Sequence, residues 1–252
     1  MATFDFLIVG AGRGGTSLLA ALLDQHSQVE VGVSLEYSPA DNFEHAARDC
    51  LMGRKFKHTN DRSLLQERSE AFLFECKKAA SVSPKARWGN KITTEQLADL
   101  EQHNILNPQQ PVDITNYFFK QALDGVQILF ILRDGRTCVR SKMQRAGLSL
   151  ETACERWLYS VALMRFLQEQ HGNHLILKYE DLVLEPETTL SEVCTFLGVE
   201  YEATMLTGTN NPKMPSYYRL SSSAPSKLNL DNIPDGCLEL LRDELVTCAY
   251  PV

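Results

Sequence analysis

The residues with the most chemistry near the N-terminus lie in FLIVGAGRGGTSLLAALL, residues 6–23. There Gly10, Gly12, Gly14 and Gly15 surround Arg13 and precede Thr16 and Ser17. A glycine turn between an apolar strand and a helix directs several backbone N–H groups outward at the positive end of the helix dipole, which makes an anion site. Two motifs fit. Gly10, Gly12 and Gly15 match the dinucleotide pattern G-x-G-x-x-G, with Glu30 twenty residues after Gly10 where a ribose-binding carboxylate is expected. Residues 10–17 match G-x-x-x-x-G-K-[ST] except that Thr16 stands in the lysine position, which removes the cation a nucleotide triphosphatase places on its β- and γ-phosphates. Arg13, Thr16 and Ser17 add one cation and two hydroxyl donors, a set suited to a heavily charged terminal group.

A second constellation follows the apolar run VQILFIL. In RDGRTCVRSKMQR, Arg133 stands at a strand end, Ser141 is eight residues on in the next helix, and Arg145 is one turn further. Ser141 and Arg145 are at i and i+4 and share a helix face. An arginine facing a serine and a second arginine makes a compact site for a phosphate dianion. The histidines offer less: His26 follows the first helix, His58 lies in the polar stretch KFKHTND, and neither has a partner visible in the sequence. His171 and His174 straddle a glycine turn without companion ligands, so no metal site is expected.

Taken together, these residues resemble the sulfotransferases that use 3′-phosphoadenosine 5′-phosphosulfate (PAPS) and release 3′,5′-adenosine diphosphate (PAP). GAGRGGTSLL is similar to the family's 5′-phosphosulfate loop, which would assign Gly12, Arg13, Gly14, Gly15, Thr16 and Ser17 to the donor. RDGR through Ser141 and Arg145 is similar to its 3′-phosphate segment, and KYEDLVLEPE, with Tyr179, to a later tyrosine-containing segment. The likeness spans residues 6–198 and is nearest in local motifs to the tyrosylprotein branch, whose lysine-bearing loop RWGNKI resembles at Asn90 and Lys91. The resemblance implies an α/β, P-loop-like fold: a central parallel sheet with flanking helices, the donor lying across the carboxyl ends of the strands, and no metal.

Sulfuryl transfer, like phosphoryl transfer, is an in-line displacement whose charge builds on the bridging oxygen, so positioned cations dominate. Arg13 and Lys91 are the expected cations, and Glu36, after the second strand, is the expected base. VGVSLEY departs from the tyrosylprotein branch here, lacking its adjacent glutamate pair. Strict counting puts Ser34 at the base position, Glu36 takes the role by a shift of two residues, and a histidine is the rival. Arg219 and Lys227 in the late polar loop are further candidates for closing over the donor. The expected acceptor is a hydroxyl or amine of a small molecule, walled by residues 37–80, 104–120 and 207–230. Two other functions compete: a dinucleotide- or flavin-binding (NAD or FAD) oxidoreductase resting on the glycines and Glu30, and a nucleotide-binding protein that keeps both phosphate sites without catalysis.

The elements that must position these groups repeat one order: an apolar run, a polar turn, then a helix. It occurs at residues 4–9, 126–132 and 174–179, with shorter strand candidates at 29–33 and 88–91. Continuous apolar runs of this kind suit strands covered on both faces of a parallel sheet. Helical periodicity is clearest over residues 150–170, where Ala153, Cys154, Trp157, Val161, Met164 and Leu167 fall at helical steps, and helices are also expected at 62–80, 185–197 and 41–52. Residues 207–230 read as a polar loop, and with no linker the chain reads as one domain over residues 1–252.

Composition narrows the class. The chain has 252 residues, 44% of them hydrophobic, enough for a sizeable core. A formal net charge of −7 argues against a general nucleic-acid binder, so any anion site is a local cluster. The seven cysteines form no C-x-x-C pair and read as buried reduced thiols, which with the absence of a long apolar segment implies a cytoplasmic protein and no membrane partner.

Overall fold

The computed structural model describes residues 3–32, 49–52, 64–170, 172–210 and 228–252. Five strands form one sheet: β1 (Phe4–Gly10), β2 (Val29–Val31), β3 (Arg87–Lys91), β4 (Gln127–Leu132) and β5 (His174–Lys178). All four pairings are parallel, in the order β2-β3-β1-β4-β5. The expected α/β class is therefore realised, and β1 is the central strand.

Its apolar runs divide by the period-two alternation of a strand. Leu7 and Val9, with Ile128 and Phe130 of β4, join the core on one face, while Phe6 and Ile8, with Leu129 and Ile131, join the core on the other. Covering the first face are α2 (Leu64–Val82), the short α3 (Thr94–Ala98), α4 (Gly135–Ala146), α5 (Leu150–Gln170) and α8 (Cys237–Thr247). The second face is covered by α1 (Thr16–Leu23), α6 (Tyr179–Leu184) and α7 (Pro186–Leu197).

The helix expected at 150–170 has those bounds, because Trp157, Val161 and Leu167 bury a single stripe. The helix expected from 62 is α2, and α7 starts at Pro186, where a missing N–H costs nothing. The strand expected at 174–179 ends at Lys178, since Tyr179 already opens α6. Only residues 49–52 of the helix expected at 41–52 are described, and residues 207–210, the start of the expected late loop, instead end a 3-10 helix over Ala203–Asn210.

The strand order departs from the dinucleotide-binding arrangement, where β2 lies beside β1. Here β3 stands between them. Glu30, the ribose candidate of that reading, instead accepts the Ser83 hydroxyl at 2.5 Å. All seven cysteines are buried and none forms a disulfide. Among the described residues no helix is long and apolar enough to cross a membrane.

Candidate functional site

The glycine loop leaves the carboxyl edge of the sheet at its centre, since Gly10 at the end of β1 lies opposite Ile131 of β4. A tight turn follows, in which the Gly14 N–H donates to the Ala11 carbonyl at 2.7 Å. To make it, Arg13 and Gly15 both take left-handed backbone angles, with φ of 71° and 108°. Gly15 has a second reason to be glycine: a Cβ there would run into the Tyr179 ring. For Arg13, which has a Cβ, the same region costs on the order of 1–2 kcal/mol and needs outside support.

That support comes from the distant arginine motif. Arg133 donates from Nη1 to the Arg13 carbonyl at 3.0 Å and from Nε to Thr137 Oγ1 at 2.9 Å, and its guanidinium lies 4.5 Å over the Tyr179 ring. Arg13 in turn donates from Nε to Ser141 Oγ at 3.2 Å. Five expected site residues, Arg13, Gly15, Arg133, Ser141 and Tyr179, thus form one connected group. Thr16 is buried and Ser17 half-buried at the start of α1, where the helix dipole is positive.

The rest of RDGR holds this arrangement without joining it. Asp134 caps α4, accepting the Arg136 N–H at 2.9 Å, and the Arg136 side chain folds back on it at 2.6 and 3.0 Å, so Arg136 is a framework residue. Trp157 Nε1 donates to the Arg133 carbonyl at 2.9 Å. Glu180 accepts the Asp134 N–H and the Tyr250 hydroxyl, both at 3.0 Å. Burial pushes the Glu180 carboxyl up, against the opposing pull of those two donors and of Arg133.

Lys91 ends β3 opposite Ile8, which brings it to the same sheet edge as the loop. Its neighbour Asn90 is turned into the core, donating from Nδ2 to Cys76 Sγ at 3.3 Å. Arg145 is exposed, one turn beyond Ser141 on α4. His26, the first of the histidine rivals, is buried and engaged at both nitrogens: Nδ1 accepts the Gln28 N–H at 2.9 Å and Nε2 is 2.7 Å from the Glu200 carbonyl. Glu36, Ser34, His58, His171, Arg219 and Lys227 lie outside the described residues. No group of three or more potential metal ligands occurs among the described residues.

Sequence reasoning missed one pair. Glu95, on α3, accepts the Gly12 N–H at Oε2, 2.8 Å away, and forms an ion pair through Oε1 with Lys142, the residue after Ser141. Burial alone would raise the Glu95 carboxyl, but Lys142 and the N–H donors, Gly12 among them, more than offset it and hold the group below the usual carboxylate range. An acidic residue in the first turn of a helix reads from sequence as a dipole partner only. Glu95 also lines a cavity of about 370 Å³ with Ala98, Asp99, Glu155, Arg156 and Tyr159, none of them in the segments expected to wall the acceptor.

Comparison with known proteins bears on the family and the fold. The chain is 24% identical over 213 residues to protein-tyrosine sulfotransferase 2 of Gallus gallus, a match covering 79% of this chain and 52% of that protein, so the chain spans about half the length of this curated relative. Its fold is similar to the sulfotransferase domain of the Synechococcus PCC 7002 olefin synthase, with a TM-score of 0.67 and 15% identity over 100% of this chain and 96% of that one. It is also similar to the sulfotransferase domain of the curacin biosynthetic pathway, with a TM-score of 0.56 and 15% identity over 99% of both chains. The family model described as "Sulfotransferase family" matches residues 5–203, a span that begins in β1 and takes in the glycine loop, Lys91, Arg133, Ser141 and Tyr179. With its glycine loop, its remote arginine–serine pair and the sheet that joins them all inside that match, the chain belongs to the sulfotransferase family.

Proposed function

We propose that the protein transfers a sulfuryl group from PAPS to a hydroxyl or amine of a small-molecule acceptor. The observation that carries this reading is the continuity of the site: Arg13 of the loop is bonded by side chain to Ser141 and by carbonyl to Arg133. The donor set suits a molecule with an anion at each end. The loop N–H groups, Arg13, Thr16 and Ser17 serve the phosphosulfate, while Arg133, Ser141 and Arg145 serve the 3′-phosphate. Tyr179 keeps the Arg133 guanidinium in place through its ring face.

In the reaction the acceptor atom forms a bond to sulfur as the bond from sulfur to the bridging oxygen of the 5′-phosphate breaks, and the acceptor proton passes to a base. Arg13 and Lys91 offset the charge that builds on the bridging and equatorial oxygens. Glu36 is the proposed base. A cytoplasmic location belongs to the same reading, supported by seven buried cysteines without a disulfide.

Calorimetric titration tests the donor assignment: PAP binds tightly, whereas NAD and FAD give no heat of binding. Donor-dependent sulfation of a small-molecule metabolite pool, followed by mass spectrometry, tests the acceptor class, and Glu36→Gln should lower turnover while PAP affinity is kept. Turnover unchanged in Glu36→Gln would remove that residue from the mechanism.

A further inference from the structure

The Glu95–Lys142 pair lies at a junction that no motif marks. Glu95 holds the Gly12 N–H, one residue before Arg13, and stands four residues after Lys91 on the segment that leaves β3. Lys142 stands beside Ser141 on α4. Two side chains therefore tie together the three segments that carry the cations and hydroxyl of the site. They do so at depth, with Lys142 3% exposed and Glu95 20%. A buried pair of opposite charges recovers its desolvation only with good geometry and further hydrogen bonds, and apolar residues of similar volume often cost less. What such a pair offers in exchange is a fixed arrangement.

Resting on the reading of the protein as a PAPS-dependent transferase, we infer that the Glu95–Lys142 ion pair is a positioning device that sets Arg13 and Lys91 relative to Ser141 for the transfer step. Neither residue touches the sulfuryl group in this role. Glu95 does not serve as the base: Lys142 occupies one of its oxygens and the Gly12 N–H the other, and its carboxyl is held ionised. Displacement of a reacting group by about 1 Å costs on the order of a hundredfold in rate, so the pair should matter more to the chemical step than to donor binding.

The test measures two quantities on the full chain: PAP affinity by calorimetry, and conversion of bound PAPS to PAP and sulfate with water as acceptor, in a single turnover. Glu95→Gln keeps an acceptor for the Gly12 N–H and loses the charge. It should slow conversion by about tenfold or more while PAP affinity changes by less than about threefold. Lys142→Met should do the same, and the double variant should be no slower than either single one, because the two act as a unit. Lys142→Arg, which keeps the charge, should recover much of the rate. If Glu95→Gln does not fold, Glu95→Asp takes its place, keeping the charge but drawing it back by one methylene, with the same split expected.

Equal losses in affinity and rate would overturn the inference by making the pair part of the donor site. Tighter PAP binding in Glu95→Gln would overturn it by making the carboxylate a competitor for the phosphosulfate. Unchanged rates would leave the pair a structural one. A wild-type chain that fails to bind PAP, or that binds it and consumes PAPS with neither water nor the metabolite pool as acceptor, would count against the transferase reading itself and this inference with it.

Discussion

Arg133 does three things with one guanidinium: it braces the strained Arg13 carbonyl, bonds Thr137 and stacks on Tyr179. Lysine carries the same charge but lacks the planar fork, so it cannot make all three contacts at once. Arg133→Lys should therefore weaken PAP binding by about tenfold, equivalent to roughly 1.4 kcal/mol, and calorimetric titration reads the loss directly. Retention of full affinity would mean that charge alone is at work. The place of Arg133 at the sheet edge was legible in the sequence from its position after an apolar run, and that place is what the proposed phosphate contact rests on. Its role as a brace for the loop was not legible, because the left-handed backbone of Arg13 has no signature in a non-glycine residue.

At the scale of elements, α3 is held against the loop and α4 by the carboxylate of Glu95, and this attachment should depend on pH. The Glu95 carboxyl lies below its ordinary value of 4.5 in the folded chain. The stability it contributes is thus fully present above that ordinary value and is lost as pH falls through the lowered, folded one. Glu95→Gln should cost on the order of 3 kcal/mol at neutral pH, because it leaves Lys142 buried without a counter-charge. Urea unfolding from pH 7 into the acid range should show the gap between wild type and variant narrowing below the ordinary carboxylate value, and a gap constant with pH would remove Glu95 as its source. Strands and long helices were readable because each carries its own period, as in the single buried stripe of α5. α3 was not, since five residues are too few to show one. The partners of Glu95 were hidden for a different reason: they are 83 and 47 residues away, brought near only by the sheet order.

For the whole molecule, the two cores on either side of the sheet enclose every thiol. Burial pushes the Cys76 thiol up to about 12 and raises Cys138, so neither offers thiolate at neutral pH. A thiol-specific disulfide reagent should label the native protein slowly and reach seven equivalents per chain only on unfolding. Fast labelling of the native form would mean that part of a core opens. The single-sheet plan was legible in the spacing of apolar runs, but the place of β3 between β1 and β2 was not, because pairing order depends on which helices cover which face.

That order has a metric consequence. Lys91, the glycine loop and Arg133 emerge from β3, β1 and β4, three strands side by side, so their separation across the sheet is set by two backbone hydrogen-bond spacings, about 10 Å in all. Side-chain changes can shift the groups that stand on the strands but cannot stretch the spacing of the strands themselves. The sheet edge is a ruler, and it should select a donor by the distance between its anionic ends: adenosine 5′-phosphosulfate, which lacks the 3′-phosphate, reaches one mark and leaves the other unread.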